Sequence, residues 1–529
     1  MKKIALILIN ALLLASCSDF LKEEPRDEMS SGQFFSVPEH AYSAVNSLYR
    51  NGGPQIVNSA SSYGGSRSML GGYMSGYFDN EYKGQEPHVQ NSLQLTLDGR
   101  NTSTYLTSLW GDMYRGISRA NNAIKYIPET PGLSAEEANN LLAEAKFFRA
   151  FTYFYLVKMF GGVPVITDPY ESLEDLYIAR GTVKEVYDLI VEDLEFAANQ
   201  DGLGMASMGN NEKRISQSTA AALLSEVYLT MSGYPLQEDH YEDAAFWAKE
   251  VINSGAYALE QHDYDAQDNL IANNSAYNKI RKSDVSAGEY VYFIEYQEGI
   301  STSSYPVYCY PTSVTSEVAY SITNGGYLPM DEFYWAYDPD SDLRIQEKQF
   351  FHSQITGEDG STIDFPKAPY YWHDDLALSE TANSGKDIPV MTYSNVLLIA
   401  AEAIAQSEGV TDEAINYLSA VRGRAYWEMD ENDIKQSLNG LSVIDFTEEV
   451  WKERFRELVF EFTLWDDVQR TRKFPVTSAS NPGEISFVDA VGANNILGKI
   501  IEEKHLLFPL PETELQRNPE LEQNPDYNN

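Results

Sequence analysis

Residues able to do acid–base or nucleophilic chemistry occur in this sequence, but not at the spacings such chemistry needs. The seven histidines are scattered, no two closer than 21 positions, so no H-E-x-x-H pair can present two imidazoles on one helix face. No G-x-S-x-G nucleophile turn occurs. Residues 492–499, GANNILGK, approximate a phosphate loop. They hold one residue too many and are followed by Ile500 where Ser or Thr would bind a metal, so they read as a turn. Gly202-x-Gly204 lacks a third glycine at the right spacing. The acid pairs Asp374-Asp375 and Asp466-Asp467 are neighbours in a chain with 79 acidic residues. A glycosidase needs two carboxylates facing one bond across a cleft. Residues 338–342, DPDSD, alternate acids as a calcium loop does, but Leu343 occupies the glycine position, and a turn capping a helix is the expected form. The sequence therefore predicts no enzyme, no metal and no cofactor.

One residue does point to covalent chemistry. Lys2 and Lys3 precede an apolar stretch over residues 4–15, at about 12 residues too short to span a bilayer. Leu14-Ala15-Ser16-Cys17 then resembles the lipobox of bacterial lipoproteins, in which the peptide is cut before the cysteine and the cysteine is acylated. Residues 1–16 are thus expected to be a signal peptide, Cys17 the lipidation site, and the polar, acidic residues 17–30 a tether. With Cys17 acylated, Cys309 is the remaining thiol, and an internal disulfide is excluded.

The elements that must position any site are helical. Over 105–127, Leu109, Met113, Ile117, Ala120, Ile124 and Ile127 recur at steps of four and three, and Pro128 ends the run. Ser134-x-x-Glu137 and Thr182-x-x-Glu185 have capping-box spacing before further amphipathic runs. Alanine-rich helices follow over 219–231, 241–253, 394–407 and 411–426. These read as antiparallel pairs in tetratricopeptide-like units of roughly 34 residues. The expected fold is mostly α: helix pairs forming a right-handed superhelical scaffold over 31–255 and 390–529, with an irregular, loop-rich, ligand-binding insertion over 256–389. Within the insertion, residues 290–294 are β-prone, and 15 of the 36 tyrosines fall between Tyr257 and Tyr371. Residues 51–101 are similarly irregular, and residues 64–84 too glycine-rich for a helix. The formal charge of -41, from 38 basic against 79 acidic residues, repels phosphate backbones and disfavours nucleic acid.

Read together, the helical segments resemble the SusD/RagB family of outer-membrane nutrient-binding lipoproteins. The run 149–156 (RAFTYFYL) with 160–165 (FGGVPV), the helix 453–461 (ERFRELVFE) and the tail with Phe508-Pro509-Leu510-Pro511 and Asn524-Pro525-x-Tyr527 carry the likeness. Leu464 and Asp526 depart from it, standing where the family usually has Arg and often has Gly. The resemblance makes residues 31–529 a SusD-like domain on the cell exterior. It implies no catalysis, oligosaccharide or polysaccharide cargo, and a SusC-like TonB-dependent transporter as partner, over whose mouth the protein sits. Peptide cargo, or a purely protein-binding scaffold, are the alternatives.

Sugar rings stack on flat aromatic faces while polar side chains bond their hydroxyls. Aromatics off helical periodicity are therefore the expected ligand contacts: Tyr73, Tyr77, Asp79 and Tyr82 in a first group, Tyr305, Tyr308 and Tyr310 in a second, and Tyr370, Tyr371 and Trp372 in a third. Trp110, Tyr114, Tyr153 and Trp451 lie on helix patterns and are expected in the core.

Overall fold

The computed structural model describes residues 34–58, 69–170, 176–282, 288–318, 325–357 and 359–527. Cys17 and the tether lie outside them. The main helices are α1 (Pro38–Leu48), α2 (Ser103–Tyr126), α3 (Ala135–Phe160), α4 (Val183–Ala198), α5 (Gln217–Met231), α6 (Tyr241–Asn253), α7 (Tyr393–Ser407), α8 (Asp412–Ala425), α9 (Val443–Glu457) and α10 (Leu464–Thr471). Both capping boxes form. Ser134 Oγ accepts from the Glu137 amide while Glu137 takes the Ser134 amide, and Thr182 and Glu185 do the same. These pairs satisfy amide donors that have no partner within the helix, and so set the helix starts.

From α2 to α6 each helix packs on the next, as a run of helix hairpins. Their contact faces are apolar, but polar ties set the register. Arg149 of α3 makes a paired contact with Asp193 of α4 (Nε–Oδ2 2.6 Å, Nη2–Oδ1 2.9 Å) and donates to Asn121 of α2 at 2.9 Å. Such a two-point ion pair fixes orientation as well as distance.

α6 then packs directly on α7, although the whole irregular segment lies between them in sequence. Just after α6, Tyr257 stacks on Tyr393, the first residue of α7, with centroids 6.0 Å apart. The irregular segment therefore leaves and rejoins the helical stack at one place. It carries β2 (Tyr290–Ile294), β3 (Leu328–Pro329), β4 (Phe351–Thr356), β5 (Thr362–Pro369) and β6 (Ile388–Thr392), while β1 (Phe78–Asp79) precedes it and β7 (Lys473–Thr477) and β8 (Ile485–Asp489) follow. The pairs β1–β3, β2–β6, β4–β5 and β7–β8 are all antiparallel. Every residue of β2 is buried, so the strand lacks an alternating pattern and forms part of the core.

The segment is locked to the helices by buried charge. Arg344 is fully buried and binds Asp342 (2.7 Å), Glu453 (2.7 Å) and Glu457 (2.8 Å), the last two on α9. Arg424 of α8 binds Glu457 and Glu289 at 2.6 Å each, and Arg422 binds Glu453 at 3.0 Å. Asp342 also accepts from the Arg344 amide, which is the expected capping turn at 338–342.

The two most distinctive sequence runs meet in space. The Phe508 amide donates to Met159 O (2.6 Å), and Asn524 Nδ2 donates to Phe160 O (3.1 Å) and Phe508 O (2.8 Å). Asp526, at a position where glycine is frequent in the resembled family, has φ 63°. Aspartate tolerates that left-handed geometry better than most side chains.

One expectation is corrected. The glycine-rich stretch 64–84 contains a short helix, Leu70–Ser75. A side chain at Gly71 would overlap Trp465, and one at Gly72 would meet the Tyr327 hydroxyl, so these glycines permit close packing rather than a loop. Residues 492–499 form a turn, as expected, with Asn495 Nδ2 donating to Met74 O and Leu93 O at 3.1 Å each.

Candidate functional site

The three aromatic groups singled out in the sequence do converge, but beneath the surface. Trp372 packs against Tyr305 (5.0 Å between ring centroids), Tyr308 (6.1 Å) and Tyr327 (6.2 Å), and Tyr327 in turn meets Tyr73 (5.9 Å). Their hydroxyls are turned inward: Tyr73 donates to Gly326 O, Tyr77 to Pro475 O (2.8 Å) and Tyr305 to Val57 O (2.6 Å). Tyr310 bonds His373 Nδ1 (3.3 Å), and Tyr370 stacks on His373 under the Arg281 guanidinium. Tyr73, Tyr77, Tyr305, Tyr308, Tyr310, Tyr370 and Trp372 are all buried. They are corrected here from ligand contacts to packing residues. With few long helices, the irregular segment fills its interior with aromatic rings, so lack of helical periodicity did not mean exposure. Tyr153 and Trp110 are core residues as expected, whereas Tyr114 and Trp451 are half-buried.

Asp79, Tyr82 and Tyr371 do reach solvent, each half-buried. Tyr371 stacks flat on Phe460 at 4.7 Å and meets Phe350 edge-on at 5.9 Å. Asp79 and Tyr82 lie on a loop face assembled by one carboxylate. Glu81 Oε2 accepts from the amides of Gly325 (3.0 Å) and Thr312 (3.3 Å), and the Glu81 amide donates to Gly325 O (2.8 Å). Together with the β1–β3 pairing, this joins residues 78–83, 312–317 and 325–329. The face presents the Tyr82 ring, the Asp79–Lys83 ion pair, and the exposed Thr312 to Glu317 turn. Phe78, stacked on Tyr327 at 3.9 Å, anchors it to the aromatic cluster below. Sequence reasoning missed Glu81 and Thr312, because nothing in their spacing signals that they meet.

The arrangement offers a ring, a carboxylate and an ammonium to solvent. The one described thiol, two histidines and the paired acids noted in the sequence are engaged as follows. Burial pushes the Cys309 thiol up to about 12, so it is not a thiolate near neutrality. Burial likewise lowers His352 to about 3 and His373 to about 4. Asp466 pairs with Lys158 (2.6 Å), and Asp467 with Arg470 (2.7 Å) and Arg454 (3.0 Å). Asp374 caps the turn after it, and Asp375 bonds His373. Among the described residues, no cluster of three His, Cys, Asp or Glu side chains could hold a metal, and no helix is long and apolar enough to cross a membrane.

Two family descriptions match the chain: "Starch-binding associating with outer membrane", SusD-like, over residues 19–229, and the SusD family over 370–527. A crystal structure of a SusD superfamily protein from Parabacteroides distasonis is 30% identical, with a TM-score of 0.80, and covers 94% of this chain and 100% of its own. The chain belongs to the SusD family. SusD-like protein P2 of Formosa agariphila is 27% identical over 551 residues, covering 100% of both chains. A laminarin-binding SusD-like protein shares the fold at 20% identity and a TM-score of 0.65, over 93% of this chain and 100% of that one. The SusD-like description that matches residues 19–229 associates its members with the outer membrane, and the helical fold seen here matches that of a solved SusD superfamily member.

Proposed function

We propose that this protein is a non-catalytic surface lipoprotein that captures oligosaccharides on the loop face and hands them to a SusC-like TonB-dependent transporter. Cys17 anchors it by acyl chains to the outer membrane, with residues 31–529 outside the cell. The observation carrying the binding reading is the Glu81 clamp, which gathers three loop segments around the half-exposed Tyr82 ring and the Asp79–Lys83 pair. A ring of that kind stacks on the C–H face of a sugar, and the flanking carboxylate and ammonium bond its hydroxyls. Family membership supports the cargo class and the location.

Calorimetry over a panel of neutral oligosaccharides tests the reading. Tyr82→Ala should weaken binding about 5- to 15-fold, the loss of about 1–1.5 kcal/mol of stacking. Affinity should hold between low and high salt, because a neutral sugar has no charge to screen. No binding across the panel, or binding of basic peptides that collapses with salt, would sink the proposal. Co-purification of a barrel transporter with the native protein tests the partner.

A further inference from the structure

We propose that the protein carries a second oligosaccharide site, remote in sequence from the loop face, in the cleft between α2, the chain around residues 164–170 and 176–178, and the C-terminal helix Glu512–Arg517. The cleft has a volume of about 580 Å³, within the range of small-ligand pockets of roughly 300–1,000 Å³. It shares no residue with the loop face.

Its walls are held in place rather than left over from loose packing. Tyr114 of α2 donates to Pro164 O (2.9 Å), and Asn121 Nδ2 to Ile166 O (2.9 Å). Asn518 Nδ2 donates to Ile178 O (2.9 Å), and the terminal helix packs on α2. Trp110 lies along the floor. At the rim stand Tyr170, 50% exposed, and Tyr177, 60% exposed. Among the described residues Tyr42 and Tyr264 are exposed as well, at 37% and 45%, but neither lines this cleft, which gathers the two most open tyrosine rings. They offer the flat faces a pyranose ring needs.

The charges in the cleft choose the ligand class. Arg115 is paired with Asp112, and Arg517 with Glu514 at 2.7 Å; Asp168 also lines the cleft. The cleft is thus close to balanced in a protein of net charge -41. Its lining side chains, two arginines against Asp168 and Glu514, favour neither sign of charge. Both guanidinium groups stay largely exposed, at 66% and 70%, and their remaining N–H donors together with the Asp168 carboxylate suit hydroxyls. A neutral, polyhydroxylated chain fits these groups best.

The test is nitration of the full chain by tetranitromethane, with Tyr170 and Tyr177 read by peptide mass spectrometry. It is run without sugar and with saturating maltohexaose, laminarihexaose, cellohexaose or mannohexaose. At least one sugar should lower modification of both tyrosines fivefold or more, and the protection should persist in Tyr82→Ala, which disables the loop face alone. Calorimetry with that sugar should show one binding event lost in a Tyr170→Ala/Tyr177→Ala variant. Both residues are exposed, so folding, followed by circular dichroism, should be unchanged. Modification unaffected by every sugar overturns the proposal, whether or not the loop face binds. So does protection that vanishes with Tyr82→Ala, or protection by trilysine or triglutamate in place of the sugars.

Discussion

Glu461, half-buried, lines a partly open pocket of about 80 Å³ together with Lys158, Glu226 and Trp465. Burial pushes its carboxyl up to about 8, although hydrogen bonds from the Thr392 hydroxyl (2.6 Å) and amide (3.2 Å) pull the other way. A carboxyl raised above its ordinary 4.5 holds its proton in the fold and releases it on unfolding. Its contribution to stability is complete below about pH 4.5 and is lost as pH rises toward 8. Glu461→Gln keeps the shape and a donor toward Thr392 but cannot ionise. The wild-type melting temperature should therefore decline from pH 5 to pH 8 more steeply than that of the variant, by about 2 °C over the interval. Parallel melting curves would show that Glu461 is already charged at neutral pH. In the sequence this residue only ends the run 453–461, and nothing there signals a raised carboxyl. Its environment is made by β6, α7 and the turn before α10, which come together only in the fold.

At the level of elements, the Arg344 cluster decides whether the irregular segment stays on the helices. Glu453 is a telling member. Burial would raise its carboxyl, but Arg344, Arg422 and Arg456 outweigh burial and hold it at about 2. Its share of stability is full above about pH 4.5 and disappears as pH falls toward 2, so acid should loosen this junction. Arg344→Met leaves Asp342, Glu453 and Glu457 without that partner in the interior. Removing one side of a buried ion pair costs about 3–5 kcal/mol. Urea denaturation should show a loss of that size, and hydrogen exchange should rise first in β3 to β5. A loss below about 1 kcal/mol would mean the cluster is replaceable. The helices themselves were largely legible in the sequence: the span 241–253 agrees residue for residue with α6, and both capping boxes are real. The β7–β8 hairpin and the glycine-lined helix Leu70–Ser75 were not, because long-range packing rather than local pattern makes them.

For the whole molecule, the proposed anchoring rests on residue 17. Cys17→Ala should release the protein from the membrane fraction into the medium or periplasm, read by fractionation and immunoblot. Retention equal to the wild type would refute acylation as the anchor, since without lipid the apolar stretch over 4–15 is too short to hold. The proposed binding face was legible only in part. Asp79, Tyr82 and Tyr371 reach solvent, while seven other candidates support the surface from below. Composition reports how aromatic a loop region is, but which rings face inward depends on the neighbours each finds. The stacking of Tyr257 on Tyr393 has a further consequence. Because the irregular segment departs and returns at a single seam between α6 and α7, it is a cassette. A related protein's cassette grafted there would have to bring its own arginine for Glu453 and Glu457, a strand to pair with β1 and amides for Glu81. Diversity of cargo could then evolve by exchange at that seam while the helices beneath stay unchanged.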